Sequence, residues 1–539
     1  MQDSNAKSAT DLGAWTGAAI YHVYVRSFRD SNADGIGDLA GVIEGLEHIA
    51  MLGADAVWLS PFFASPQKDY GYDVSDYCAV DPLFGTLADF DRLLTKAHAL
   101  GLKIIVDLVF CHTSEDHAWF AESRTSHQNS KADWYVWADA KADGSPPNNW
   151  QSVFGGPAWT WDARRRQYYM HNFLKEQPQL NVRNPALQNA LLEIAKFWLD
   201  RGVDGFRFDA INFAVHDAQL RDNPPSGRPI ESVTRPFDLQ LHIFNQSQPE
   251  MLPFLERLRS VMNQKPESFS VAEIPGDDPV FEMKAYTLPG KRLHSAYGFD
   301  FLYASKLNPA LVRQAILPWT EEDSRPSWAF SNHDAPRAVS RWAAPEHRNA
   351  AARCFMMLLF SLPGCAFLYQ GEELGLPQGE VPFEHLKDPE AIANWPLTLG
   401  RDGARTPFPW IAQAPHADFS KGSAAPWLPI DPKQAALALD LQASDPHSML
   451  AFTQQVLKRR KDHTALRAGG ISFLDAPEPI LAFTRGDGDS QILCLFNVSP
   501  VTAFFTPPGA WSALLSAQSD TFGLATLPAY SGYWLKVGT

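Results

Sequence analysis

A unit of amphipathic helix, glycine stop and short apolar strand recurs along the first two-thirds of this chain, which requires strands side by side with helices laid over them. In the first copy Leu39, Val42, Ile43, Leu46, Ile49 and Leu52 keep helical spacing, Gly53 takes the C-cap position and "AVWLSP" follows. The second starts at Thr86 as N-cap, runs through Phe90, Leu93, Leu94, Ala97 and Leu100 to Gly101, and enters "LKIIVDLVF". In the third, Asn184 caps, Pro185 takes the first helical position, Leu191, Ile194, Ala195 and Trp198 form the stripe, and Gly202 precedes "VDGFRFD". A fourth ends at Pro363 and Gly364, before "CAFLYQG". Such alternation gives a parallel sheet covered on both faces, and at 539 residues a closed (β/α)8 (TIM) barrel is favoured over an open sheet. No GxGxxG or GxxxxGK[ST] loop supports the open alternative.

Two stretches interrupt the pattern. Between the strand ending near His112 and the cap at Asn184 the chain is rich in Trp, Tyr, Gly and Pro ("NNWQSVFGGPAWTW") and too long for an ordinary connection. It reads as an inserted small domain, residues 113–181, over the barrel mouth, dividing the barrel into 1–112 and 182–468. After residue 468, "ILAFTRGDGDSQILCLFNVS" shows two alternating runs joined by a turn, so residues 469–539 read as a C-terminal antiparallel β-sandwich domain.

The charge balance narrows the partners. With 61 acidic against 46 basic residues, a net charge of −15 and no basic cluster, nucleic acid and anionic membranes are disfavoured, and a neutral small ligand fits better. The 12% of aromatic residues suits sugar rings. Five scattered cysteines without a CxxC spacing argue against a disulfide framework or a zinc site and for a reducing compartment. The polar "MQDSNAKSATDLG" and the shortness of "CFMMLLFSL" argue against a membrane span. The expectation is a cytoplasmic monomer or homodimer without an organic cofactor.

The stretch "DSNADGIGD", residues 30–38, begins like an EF-hand loop, with oxygen-bearing side chains at its first, third and fifth positions and glycine at the sixth. Its twelfth position is Gly41 rather than a bidentate Glu, and the preceding "AIYHVYVRSF" reads as strand rather than helix. The loop therefore looks like a metal site of another architecture.

In a barrel the chemistry gathers where the strands end. The charged strand ends are Asp107 to His112 in "DLVFCHTS", Arg207 and Asp209 in "GFRFDAINF", Glu273 in "SFSVAEI", and His333 and Asp334 in "WAFSNHD". Each alone could cap a helix, but several carboxylates brought to one rim are costly unless their charge has a use.

Taken in order, these segments, with "QPQLN" at 177–181 and "FLYQGEELG", resemble glycoside hydrolase family 13, the α-amylase family, in its oligo-1,6-glucosidase and α-glucosidase branch. The resemblance implies Asp209 as nucleophile, Glu273 as general acid/base and Asp334 as the third carboxylate, which holds ring hydroxyls. Retention needs one ionised carboxylate and one protonated carboxyl about 5 Å apart. Arg207 is expected to keep Asp209 ionised, and the pocket to raise the pKa of Glu273. By the same resemblance His112 and His333 bind hydroxyls, and "KDYGYDVSDY" supplies Asp69 and a stacking face at Tyr72. Arg401 in "GRDGARTPFPW" pairs with Asp69 and closes the pocket behind one glucose. The 30–38 loop resembles a structural metal loop, with Asp30, Asn32, Asp34 and Asp38 as side-chain ligands, the Ile36 carbonyl as a fifth, and calcium or magnesium as the ion.

Three departures from the family pattern stand out. Cys111 replaces an Asn that binds a second calcium in α-amylases, Val25 replaces a Pro, and Gln179 replaces an Asp. The residue after the nucleophile is Ala210, where oligo-1,6-glucosidases typically carry Val and relatives acting on α-1,4 bonds tend to carry Ala or Thr. The resemblance thus implies a retaining exo-α-glucosidase acting on short α-1,4-glucosides such as maltose, with transglucosylation. The alternatives are a sucrose- or α-1,6-glucoside-acting hydrolase or transglucosylase on the same site, and a non-catalytic relative like the amino-acid-transporter heavy chains. The presence of all three carboxylates speaks against the last. No RLDR-type loop favours sucrose isomerisation, and the segment from His216 to Gln240 is expected to shape the leaving-group side.

Overall fold

Each short apolar run between helices becomes one strand of a single parallel sheet. The strands are β1 (Ala19–Val23), β2 (Ala56–Leu59), β3 (Lys103–Val109), β4 (Gly205–Asp209), β5 (Phe269–Glu273), β6 (Ser295–Tyr297), β7 (Ser327–Ala329) and β8 (Cys365–Tyr369). This is a computed structural model that describes residues 12–320, 326–398, 400–518 and 525–538. The spatial order is β6, β5, β4, β3, β2, β1, β8, β7. Among the described residues β6 and β7 share no ladder, and Ser295 Oγ and Ser327 Oγ, 2.8 Å apart, hydrogen-bond across that seam. The result is a nearly closed eight-stranded barrel.

Strand alternation sorts the side chains into an inner and an outer row. Ile20, Ala56, Ile105, Phe269, Val271, Ala329, Cys365 and Phe367 point inward and form one cluster, stoppered by Trp15, whose ring stacks on Phe269 at 4.7 Å. Tyr21, Val57, Ile104, Val106, Phe206, Phe208, Ala272 and Leu368 point outward into the larger core under the helices. Those helices have the expected ends. In α1 (Leu39–Leu52) Asp38 caps and Gly53 adopts φ 92°; in α2 (Leu87–Ala99) Thr86 and Asp89 form a capping box; in α3 (Pro185–Arg201) Asn184 caps and Gly202 adopts φ 113°.

One expectation fails locally. The run "AIYHVYVRSF" is strand only to Val23, and Val25–Phe28 forms a single helical turn. At the rim the ladder gives way to side-chain partners: Tyr24 N–H donates to Gln370 Oε1 and Val25 N–H to Ser60 Oγ, which turns the chain out of the sheet.

The segment between β3 and α3 carries a three-stranded antiparallel sheet, Trp137–Ala138, Gln167–Met170 and Trp159–Asp162, around Val136, Trp150, Trp159 and Met170. Trp150 Nε1 donates to the Arg221 carbonyl at 2.8 Å and Asn149 Nδ2 to that of Asn223 at 2.9 Å, so the long segment after β4 leans on this sheet. At the C-terminal end, Ile471–Phe473, Ile480–Arg485, Ile492–Asn497, Ser531–Val537 and Trp511–Ser516 make a five-stranded antiparallel sheet, and Ala503–Phe504 pairs with Thr526–Leu527. All five cysteines are free, and no helix among the described residues is long and apolar enough to cross a membrane.

Candidate active site

The inner row changes character as the strands approach their C-terminal ends. Above Val271 comes Glu273, above Ile105 comes Asp107, and Arg207 and Asp209 share one face of β4. Arg207 is completely buried and lies at the centre of these groups. Its Nη1 donates to Asp107 Oδ1 at 2.9 Å and to Asp209 Oδ1 at 2.5 Å, and its Nη2 stands 2.6 Å from Glu273 Oε1. Asp107 also accepts from Trp58 Nε1 and from the Tyr72 hydroxyl, at 3.2 and 3.1 Å.

One cation serving three carboxyls does not neutralise them all. Burial pushes Asp209 up to about 7, opposed by Arg207 and reinforced by Asp107. Burial likewise pushes Glu273 up to about 7, opposed by Arg207 and reinforced by Asp209 and Asp334. Asp107 is pushed up to about 6 by the same cause. Arg207 favours ionised Asp209, as expected, but burial outweighs it. Burial thus favours a proton shared within the cluster, the state a pair of acid and base carboxyls requires.

Asp334 has a different environment. Its burial, which raises the pKa, is outweighed by Arg405, Arg401 and Arg207, so it sits below the usual carboxylate range. Arg405 Nη2 donates to Asp334 Oδ1 at 2.7 Å, and Arg401 Nη1 approaches the same oxygen at 3.4 Å. Arg401 Nη2 reaches Asp69 Oδ1 at 3.0 Å, the expected pair, and also Asp388 Oδ1 at 2.8 Å, a partner the sequence did not disclose. Asp69, Tyr72, His112, Asp209, Glu273, Asp334 and Arg401 all line one cavity of about 690 Å³. Arg207 and His333 lie behind its wall. The His333 ring stacks on Tyr72 at 5.2 Å, and its Nε2 lies 3.1 Å from Asp334 Oδ2 but outside hydrogen-bonding geometry. His112 Nε2 meets the Tyr72 carbonyl at 2.9 Å and Gln177 Nε2 at 3.1 Å, and burial lowers this imidazole to about 4, so it is neutral.

Beyond the carboxyls the cavity is walled by Phe154, Phe173, Phe213, Phe237, Phe299 and Tyr303, and Arg228, Arg235, Asp238 and Glu390 also line it. Arg228, Arg235, Phe237, Asp238 and Gln240 come from the segment expected to shape this side. Sequence reasoning missed Tyr297, Asp388, Arg405 and the phenylalanines. Arg405 lies inside the quoted "GARTPFPW", four residues past Arg401, and was the most accessible of these. Of the departures, Gln179 bonds Asn172 and the Phe213 carbonyl and touches none of the carboxyls above. Cys111 is buried with its Sγ 3.2 Å from His112 Nδ1.

The 30–38 loop is folded by its own side chains. Asp30 accepts from the N–H groups of Asn32, Ala33 and Gly35, Asp34 from that of Ile36, and Asp38 from Ser31 and Gly41. Gly35 needs φ 91°, and a Cβ there would meet the Ala425 carbonyl oxygen at 2.3 Å. Among the described residues no three His, Cys, Asp or Glu side chains gather as metal ligands. A cation here would therefore be completed by Asn32 Oδ1, the Ile36 carbonyl and water. The all-oxygen donor set fits a hard divalent ion.

Carboxyls clustered round a guanidinium at the C-terminal rim of a (β/α)8 barrel, facing an aromatic-walled cavity, define the class: a glycoside hydrolase. The sequence matches the family model described as "Alpha amylase, catalytic domain" over residues 22–469. It is 49% identical over 503 residues to a Rhizobium meliloti (strain 1021) protein named "Probable alpha-glucosidase", covering 92% of this chain and 91% of that one. It is 35% identical over 529 residues to the oligo-1,6-glucosidase of Parageobacillus thermoglucosidasius, covering 92% of each. The crystal structure of the α-glucosyl transfer enzyme XgtA superposes with a TM-score of 0.92 at 49% identity, covering 97% of this chain and 99% of that one. A crystal structure of the trehalulose synthase MutB gives 0.88 at 31% identity, covering 97% and 100%. The chain belongs to the α-amylase family, glycoside hydrolase family 13, in its α-glucosidase and oligo-1,6-glucosidase branch.

Proposed function

We propose that this protein is a retaining, exo-acting α-glucosidase that cleaves short α-1,4-glucosides such as maltose through a covalent β-glucosyl-enzyme and also transfers glucose to sugar hydroxyls. The observation that carries this reading is the Arg207 fork, which holds Asp209 at 2.5 Å and Glu273 at 2.6 Å. A single guanidinium touching both carboxyls keeps them close together, which supports the spacing of about 5 Å that retaining pairs use. With Oδ1 of Asp209 bound to Arg207, Oδ2 is the oxygen free to attack C1. Glu273 protonates the departing oxygen and then deprotonates the incoming hydroxyl. Asp334, ionised between Arg405 and Arg401, holds ring hydroxyls of the bound glucose, with Tyr72 and His112 at its sides. Asp69, Arg401 and Asp388 end the pocket behind that glucose, which makes attack exo.

Linkage rests on Ala210. It lines the cavity next to Asp209 in a left-handed conformation, φ 38°, where a valine is both bulkier and strained. The small methyl leaves room for a ring-attached leaving oxygen, as an α-1,4 bond requires. A second reading, α-1,6 or sucrose specificity with the same glucosyl-enzyme, is favoured by relatives named oligo-1,6-glucosidase and trehalulose synthase. Incubation with maltose, isomaltose, sucrose and maltotriose, with products and their anomers resolved by chromatography and NMR, decides between them. Maltose is expected to outrun isomaltose and to release α-glucose, and Ala210→Val to move the ratio toward isomaltose by about 1–3 kcal/mol. Faster isomaltose hydrolysis by the wild type refutes the role given to Ala210.

The 30–38 loop, in the same reading, is the place of one structural divalent ion, calcium or magnesium, with Asp30, Asn32, Asp34, Asp38 and the Ile36 carbonyl as its candidate ligands, although the three carboxylates are not gathered round one point in this structure. It takes no part in the chemistry. Five unpaired cysteines support a reducing, cytoplasmic setting.

A further inference from the structure

The hydroxyl of Tyr297, buried at the end of β6, stands between the shared guanidinium and Glu273. Arg207 donates to it from Nε at 3.1 Å and from Nη2 at 2.9 Å, which occupies its lone pairs and leaves its own proton for Glu273 Oε1, 3.0 Å away. The same Oε1 lies 2.6 Å from Arg207 Nη2. Oε2 meets a single donor, the Ala210 N–H, at 3.2 Å. An oxygen that accepts from a phenol and stands in ion-pair contact with a guanidinium is the less basic of the two, so the acid proton goes to the other.

We infer that Tyr297 is a positioning residue that fixes which oxygen of Glu273 works: Oε1 is the permanent acceptor, and the acid proton is carried on and delivered from Oε2. This rests on Glu273 being the general acid/base. As Asp209 Oδ2 bonds to C1 and the C1–oxygen bond breaks, the proton passes from Oε2 to the departing oxygen. Glu273 is left as a carboxylate, its new charge met at Oε1 by Tyr297 and Arg207. In the second half-reaction water or a sugar hydroxyl bonds to C1, its proton goes to Oε2, and the bond from C1 to Asp209 breaks.

The charged groups facing Glu273 are Arg207 and Asp209 from β4, Asp107 from β3 across the guanidinium, and Asp334 from the loop after β7. Tyr297 itself faces Arg207, Asp107 and Glu273, with the rings of Trp58 and Phe367 at 6.4 and 5.3 Å. Tyr297→Phe keeps those ring contacts and removes only the hydroxyl.

The test is the pH profile of kcat/KM for maltose. Loss of a donor that favours ionised Glu273 lets it hold its proton to higher pH, so the alkaline limb should move up by about one pH unit in Tyr297→Phe. In the same variant kcat should fall about tenfold with KM little changed, and less with p-nitrophenyl α-glucoside, whose phenolate leaves with little proton assistance. Site-specific 3-fluorotyrosine at 297, a stronger donor of the same shape, should move the limb down. A limb that stays in place in both variants, or moves the same way in both, overturns the inference. If Tyr297→Phe melts too low to assay, the direction of the fluorotyrosine shift alone decides. Glu273→Gln is the control that separates the two claims. A fully active Gln variant brings down the acid/base reading itself, whereas a dead Gln variant with unmoved Tyr297 limbs removes only the role of Tyr297.

Discussion

The two ends of the barrel interior are made by the same strands and have opposite chemistry. On β5, three successive inward positions are Phe269, Val271 and Glu273. The first two are fully buried hydrocarbon against Trp15 and Ile105, and the third is a carboxyl in contact with a guanidinium. On β1 the sequence is Ile20 then His22, on β2 Ala56 then Trp58, on β3 Ile105 then Asp107. The lower layers close the barrel by apolar burial, which needs no partner of defined geometry. The upper layer keeps charge out of water, which is costly, and it persists because Arg207, Trp58, Tyr72 and Tyr297 supply matched donors. A step of two residues along each strand separates the part that makes the molecule stable from the part that makes it reactive.

Substitutions at the two ends should therefore separate activity from stability. Asp209→Ala and Glu273→Gln are each expected to lower kcat by about four orders of magnitude, with a melting temperature equal to or above the wild type because one buried acid has gone. Near-normal turnover in either purified variant rejects the assignment. Phe269→Ala, at the other end of the same strand, should cost about 3–5 kcal/mol of stability by denaturant unfolding while kcat per folded molecule is unchanged. A large loss of kcat there would mean that the layers are not separable. The smallest effect belongs to the rim loop. Chelation, or Asp34→Ala, should lower the melting temperature by a few degrees and spare activity at low temperature, since a bound ion stabilises only the folded state. An unchanged melting curve with no metal by elemental analysis makes residues 30–38 a plain turn.

The same division explains what the sequence disclosed. Helices with strong caps, such as Asn184 with Pro185 or Thr86 with Asp89, are written locally and were legible to within a residue. So were the carboxyls at the ends of β4 and β5 and at Asp334, because each sits in a long ordered motif. β6 and β7 are three residues each, too short to show a period, so Tyr297 was not singled out. Asp388 caps the short helix Pro389–Asn394 and meets Arg401 beyond it, a contact that no periodic pattern announces, and the division of Arg207 among three acids is a property of three strands at once. The end of β1 at Val23 depends on Gln370 and Ser60, residues far away in the chain.

The ion cluster of Asp69, Arg401 and Asp388 has a kinetic corollary under the proposed reading. A pocket stopped at its inner end has one door. The leaving group, nearer the door, must depart first, and the glucose held against the stop must depart last. Between the two departures the doorway is open only to whatever next arrives, water or another sugar, so their relative concentrations set the partition between hydrolysis and transfer. The enzyme so described is a ping-pong catalyst whose first product is the leaving group, itself glucose when maltose is the substrate, and for which free glucose, re-entering the vacated stop, competes with substrate.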